Sequence, residues 1–164
     1  MTFIQYATAW SKSEVTQGQI MVGIGVLVLV ALVGILRSEN ELLRGSVIPL
    51  TLIVIAGIGY GGYVIYSRPA HVKTSIAAYK NSKEEAVKLE IQKHITDNNA
   101  GKSLLKYVYP TGLILAALAL LFVPGGYYKG MALGFVLLFL FTYVIDYGFV
   151  SRSDAFLEFL AKLS

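Results

Sequence analysis

The chain has 164 residues, of which 55% are hydrophobic and only 15% charged; its mean hydropathy is +0.63, its net charge +4, and it has no cysteine. Soluble domains carry about 25% charged residues, so this composition excludes a water-soluble globule, and the missing cysteine excludes disulfides, thiolate nucleophiles and thiolate metal sites. The length allows one domain, and a basic excess that flanks apolar runs points to membrane orientation rather than to nucleic acid.

Residues 1–20 lack a basic n-region, an apolar run and a small-residue cleavage site in that order, so the first apolar run is expected to be a retained anchor. Phe3, Tyr6, Ala7 and Trp10 stand at helical spacing, which predicts a short interfacial helix with Trp10 as its aromatic anchor. Residues 11–17 read as a polar joint. Residues 19–36 form an unbroken apolar run, nearly long enough at ~1.5 Å per residue to cross ~30 Å of hydrocarbon. Ser38 and Glu41 have the spacing of a capping box. A second span is expected over 46–66, with Pro49 tolerable in its first turn. The short link makes these two spans an antiparallel hairpin.

The polar stretch 68–106 holds eight of the fourteen basic residues against Glu84, Glu85, Glu90 and Asp97. It predicts a helical connector: one helix over 71–80, and a second opened by the capping box at Ser82 and Glu85 and running to Thr96. Val87, Ile91 and Ile95 give that helix a narrow apolar stripe, and Asp97-Asn98-Asn99-Ala100-Gly101 reads as its end. A third span is expected over 107–123, a stop at Pro124-Gly125-Gly126, and a fourth span over 127–150. Residues 151–164 form an amphipathic tail with Phe156, Phe159, Leu160 and Leu163 on one face. The fold class is therefore all-α, a polytopic membrane protein of four helices in two hairpins around a helical connector.

With four spans, eleven of the fourteen Lys and Arg residues fall on the side of the termini and connector. The positive-inside rule places that side in the cytoplasm of a plasma or inner membrane.

Asp146 is the ionisable residue set inside an otherwise apolar span, where a carboxylate is costly unless it is paired, reaches water or serves an ion or substrate. Arg68, Lys106 and Arg152 are its candidate partners. His71 follows the second span and could titrate near neutral pH. Glu90 and His94, four apart, share a helix face, which supplies two metal ligands and not a site; no metal or other cofactor is expected. Gly101-Lys102-Ser103 lacks the earlier glycine of a phosphate-binding loop, Thr96 standing in its place. Gly57 and Gly61, and Gly126, Gly130 and Gly134, stand four apart, a spacing that allows close helix packing within one bundle or between copies. Tyrosines cluster near span ends as an aromatic belt, although Tyr60, Tyr63 and Tyr143 could line a polar pocket.

No nucleophile–base arrangement or zinc motif is present, so the chain reads as non-catalytic: an accessory or interaction subunit of a membrane, alone as a homo-oligomer or with a membrane-protein partner. Its docking or lipid-facing surface would be the helix carrying Lys83, Lys88, Val87, Ile91 and Ile95. An oligomeric channel or transporter using Asp146 is the alternative; a lipid-modifying enzyme built on His71, Asp146 and Arg152 is a weaker one.

Overall fold

The structure, a computed structural model, describes residues 1–163. Ser164, the last residue of the expected tail, lies outside the described residues. The chain is all-helical, with no strand among the described residues, and four of its helical runs are long and apolar enough to cross a membrane. This marks a multi-pass membrane protein.

Helix α1 covers Phe3–Leu36, α2 Glu41–Gly45 and α3 Val47–Val54; a π-helical turn at Ile55–Tyr60 joins α3 to α4, Gly61–Asn81. Helix α5 covers Lys83–Ser103 and passes through a second π-helical turn, Leu104–Val108, into α6, Tyr109–Phe122; α7 covers Gly126–Leu160. At 34 residues α1 is ~51 Å long, well beyond the ~30 Å hydrocarbon layer. The other three runs are as long or longer. Each therefore has an apolar part and a polar extension.

The polar pieces are thus continuations of the long helices rather than separate elements. The joint over 11–17 is helical, and α4 runs through the expected break after residue 66 with Pro69 inside it. Asp97-Asn98-Asn99-Ala100-Gly101 stays within α5, and α7 continues through the expected boundary at 150. Tertiary contacts explain the difference. Asn98 is buried and its Nδ2 donates to Asp154 Oδ1 of α7 at 2.7 Å, where Lys102 Nζ also donates. A Cβ on Gly101 would lie 2.6 Å from Val150 Cγ2, so this glycine serves close packing rather than a stop.

Caps account for the true ends. Thr2 and Gln5 form a capping box at the start of α1, and Ser82 Oγ accepts from Glu85 N at the start of α5. The expected box at Ser38 is replaced by Asn40, whose Oδ1 accepts from Leu42 N and Leu43 N. Between α6 and α7 the chain turns at Gly125, with φ +80°, a conformation that favours glycine.

The main apolar core lies in the polar extensions. Phe3, Ala7 and Trp10 of α1, Val72 of α4, Val87 of α5, and Phe156 and Leu160 of α7 pack together. Trp10 is therefore a core residue and not an interfacial anchor, and its partners Phe156 and Leu160 belong to the apolar face of the tail, which packs against Val72 and Val87 of the central segment. This placement brings the start of α1, the end of α4, the start of α5 and the end of α7 to one end of the molecule. Elsewhere α1 packs on α3 and α4, and α7 on α2, α3 and α6. Large apolar side chains cover the outer faces of the apolar parts, as lipid-facing helices require.

Candidate functional site

Two buried carboxylates organise the polar bundle. Glu14 of α1 is 1% exposed. Arg152 Nε of α7 donates to its Oε1 at 2.7 Å, and Arg68 Nε of α4 lies 3.4 Å from its Oε2. Arg152 also donates through Nη2 to Gln17, whose own Nε2 donates to Ile145 O of α7 at 2.7 Å. Three helices are thereby tied at one level. Burial of a charge is tolerated when it is paired and hydrogen-bonded in this way.

Glu90 of α5 is the second. Its Oε2 lies 3.1 Å from His71 Nε2 and 3.6 Å from His94 Nε2, and its Oε1 accepts from Ser75 Oγ. His94 Nδ1 meets Ser153 Oγ of α7 at 2.6 Å. Although both histidines approach Glu90, no group of three or more metal-ligating side chains able to hold an ion occurs among the described residues. The buried face of α5 reads Val87, Glu90, His94, Asn98, so polar residues point inward. Val87 is buried and Ile91 packs on the core, while Ile95, Lys83 and Lys88 are exposed. The expected docking stripe is thus largely consumed by the fold.

Glu90 stands far from the apolar part of its helical run. Burial pushes its carboxyl up, but the contacts with His71, His94 and Ser75 and the charge of His71 outweigh it and hold the group well below its ordinary value near 4.5. A carboxyl whose folded value is depressed stabilises the fold above its unfolded value, and that contribution is lost as pH falls toward the folded value. Thermal melts in detergent should therefore show stability falling as pH drops from ~6 to ~3.5, and Glu90→Gln should flatten that dependence. An unchanged slope in the variant would place the acid sensitivity elsewhere.

Above these carboxylates, where the polar extensions meet the apolar parts, lies a cavity of about 400 Å3. Glu14, Arg68, Trp10, His94, Tyr60 and Asp146 are among its walls. Both π-helical turns border it, through Tyr60 and Leu104; such turns are frequent at functional sites. Arg68 lies with Cζ 5.4 Å from the Trp10 ring centroid, and His94 packs edge-on to the same ring. Trp10 Nε1 is buried without a hydrogen bond, while Arg68 Nε and His94 Nε2 lie outside hydrogen-bond geometry at 3.4 Å and 3.6 Å from the carboxylates of Glu14 and Glu90. An orphan such as Trp10 Nε1 costs roughly 1–3 kcal/mol. Indole and guanidinium nitrogens only donate, so the complement of this wall is a group rich in acceptors.

Of the residues singled out in the sequence, Arg68 and Asp146 reach the cavity. Asp146 accepts from Tyr109 OH rather than pairing with Arg68, Lys106 or Arg152. His71 sits beside Glu90, and Arg152 sits behind Glu14 on the outer side of α1 and α7. Tyr60 and Tyr63 line the cavity; Tyr143 stacks on Tyr147 elsewhere. The five glycines lie at contacts within the chain: Gly57 and Gly61 against α1, and Gly126, Gly130 and Gly134 against the Glu41–Pro49 region. Glu14, the hub of the cluster, drew no attention in the sequence. Its signal was being the single acidic residue among the first 38.

No family model, no curated protein and no solved structure matches this chain. Its class, a multi-pass helical membrane protein, rests on the four long apolar helices.

Proposed function

We propose that the chain is a non-catalytic integral membrane protein, an accessory or interaction subunit whose polar bundle is a binding module. Its two hairpins cross a plasma or inner membrane and both termini face the cytoplasm, in keeping with the excess of lysine and arginine on that side. The ligand is an acceptor-rich polar group held in the cavity between α1, α4, α5 and α7. The observation that supports this is the meeting of Trp10, whose Nε1 is buried without a hydrogen bond, with the cationic Arg68 and with His94 in the walls of one cavity. A ligand oxygen reaching Trp10 Nε1 would relieve a standing penalty.

Trp10 is the only tryptophan in the chain and lines this cavity, so its emission serves as the reporter. Titration of the detergent-solubilised protein with inorganic phosphate, acetate and glycerol 3-phosphate should give a saturable change with at least one of them. Arg68→Lys keeps the charge opposite Glu14 and removes the planar guanidinium; it should weaken that binding about tenfold, the equivalent of ~1.4 kcal/mol. No saturable change with any of the three, from protein whose helical content is intact, would defeat the reading.

A further inference from the structure

A second concavity lies on the outside of the molecule, between α1 and α7. It encloses about 970 Å3 and has a gradient of polarity along its length. Lys12, Ser13, Thr16 and Arg152 line one end; Ile20, Ile24, Leu140, Phe141 and Val144 line the other. From Lys12 to Ile24 the groove follows α1 for ~18 Å, the reach of an extended acyl chain of ordinary length. Its apolar end lies within the first and fourth apolar runs, and its polar end lies where those runs give way to the water-side bundle. The two charged residues in its lining are both cations.

We propose that this groove is a binding site for one anionic phospholipid of the bilayer, with an acyl chain on Ile20, Ile24, Leu140 and Val144 and the head-group phosphate between Lys12 and Arg152. The order of the lining residues along the two helices matches the order of parts in such a molecule. The charge is complementary as well. Lys12 is exposed and has no ion-pair partner among the described residues. Arg152 is oriented by Glu14 and Gln17 through Nε and Nη2, which leaves Nη1 as its outward donor. Ser13 adds a hydroxyl within the same turn of helix, while that of Thr16 donates to Lys12 O. Gln17 bridges to the Ile145 carbonyl and fixes the floor, so the two walls keep their spacing with or without an occupant.

The occupant is identified by its charge and by its chain, and each has its own variant. Lys12 is on the surface and makes no contact the fold needs, so Lys12→Gln removes half the cationic end without disturbing the Glu14 cluster. Ile24→Trp fills the apolar end. Native mass spectrometry of the protein in mild detergent, with phosphatidylglycerol or phosphatidylcholine added, measures both. The wild type should bind the first phosphatidylglycerol about tenfold more tightly than phosphatidylcholine, whose choline ammonium cancels the charge of the phosphate both lipids share; Lys12 and Arg152, the latter already shared with Glu14, supply that preference. Lys12→Gln should bring that ratio down to about twofold, and Ile24→Trp should weaken both lipids. Equal affinity for the two lipids, a ratio that Lys12→Gln leaves unchanged, or retention of full affinity in Ile24→Trp would each overturn the assignment.

Discussion

Replacing Glu14 with glutamine should cost about 3 kcal/mol of stability, the lower end of what removing one partner from a buried ion pair costs. The carboxylate is 1% exposed and balances Arg68 and Arg152 together. Its loss leaves two guanidinium groups facing one another across α4 and α7, with no anion between them. Both arginines keep partial exposure, at 18% and 27% of their side chains, so water offsets some of the cost and the effect stays near that lower figure. Thermal unfolding in detergent, followed by loss of helical signal, is the direct measurement. A double-mutant cycle with Arg152→Gln should show coupling, since the double variant carries one orphaned guanidinium, that of Arg68, in place of two. Additive losses would mean that Glu14 and Arg152 do not act as a pair.

The second large effect is expected at Gly130. A Cβ there would lie 1.8 Å from the Leu42 carbonyl oxygen, and the obstacle is backbone rather than a movable side chain. A Cβ built on Gly45 would lie equally close to Tyr127 O, so α2 and α7 approach backbone to backbone at two reciprocal points. Gly130→Ala must push the Glu41–Gly45 turn away from α7, and overpacking of this kind costs about 1–3 kcal/mol. Gly23, whose Cβ would meet nothing within 4 Å, is the matched control. Alanine there should be neutral or slightly stabilising, because glycine in a helix interior is the poorer helix former by about 1 kcal/mol. Equal melting temperatures for the two variants would mean that α2 does not seat on α7 as described.

The apolar runs were legible because hydrocarbon thickness imposes a length that side-chain composition must meet, as residues 19–36 do. The continuity of the helices was not. Residues 11–17 and 97–101 look like breaks only until their partners are known. Glu14 is stabilised by arginines 54 and 138 positions away, and Asn98 by an aspartate 56 positions away. The apolar stripe at Val87, Ile91 and Ile95 marked one part of the inward face, since Val87 and Ile91 do pack on the core. The rest of that face carries Glu90, His94 and Asn98, which apolar periodicity could not reveal. Of the site, the charged residues near span ends stood out, Arg68, Asp146 and Arg152 among them. Trp10 did not, since an aromatic at that depth reads equally well as a lipid-facing anchor. Neither π-helical turn left a mark that could be read from Ile55–Tyr60 or Leu104–Val108.

The water-side core joins the first residues of the chain to nearly the last. Phe3 packs within 6.4 Å, ring to ring, of Phe156, and Leu160 closes the same cluster. On a ribosome adding ~5–20 residues each second, Phe3, Ala7 and Trp10 wait on the order of 8–30 s before those partners are synthesised. Through that interval the helices carrying Val72 and Val87 have also emerged, with their apolar faces still uncovered. Assembly of this bundle is thus a closing of α1 and α7 upon α4 and α5, and the timing of translation sets how long an unfinished, adhesive surface stays uncovered.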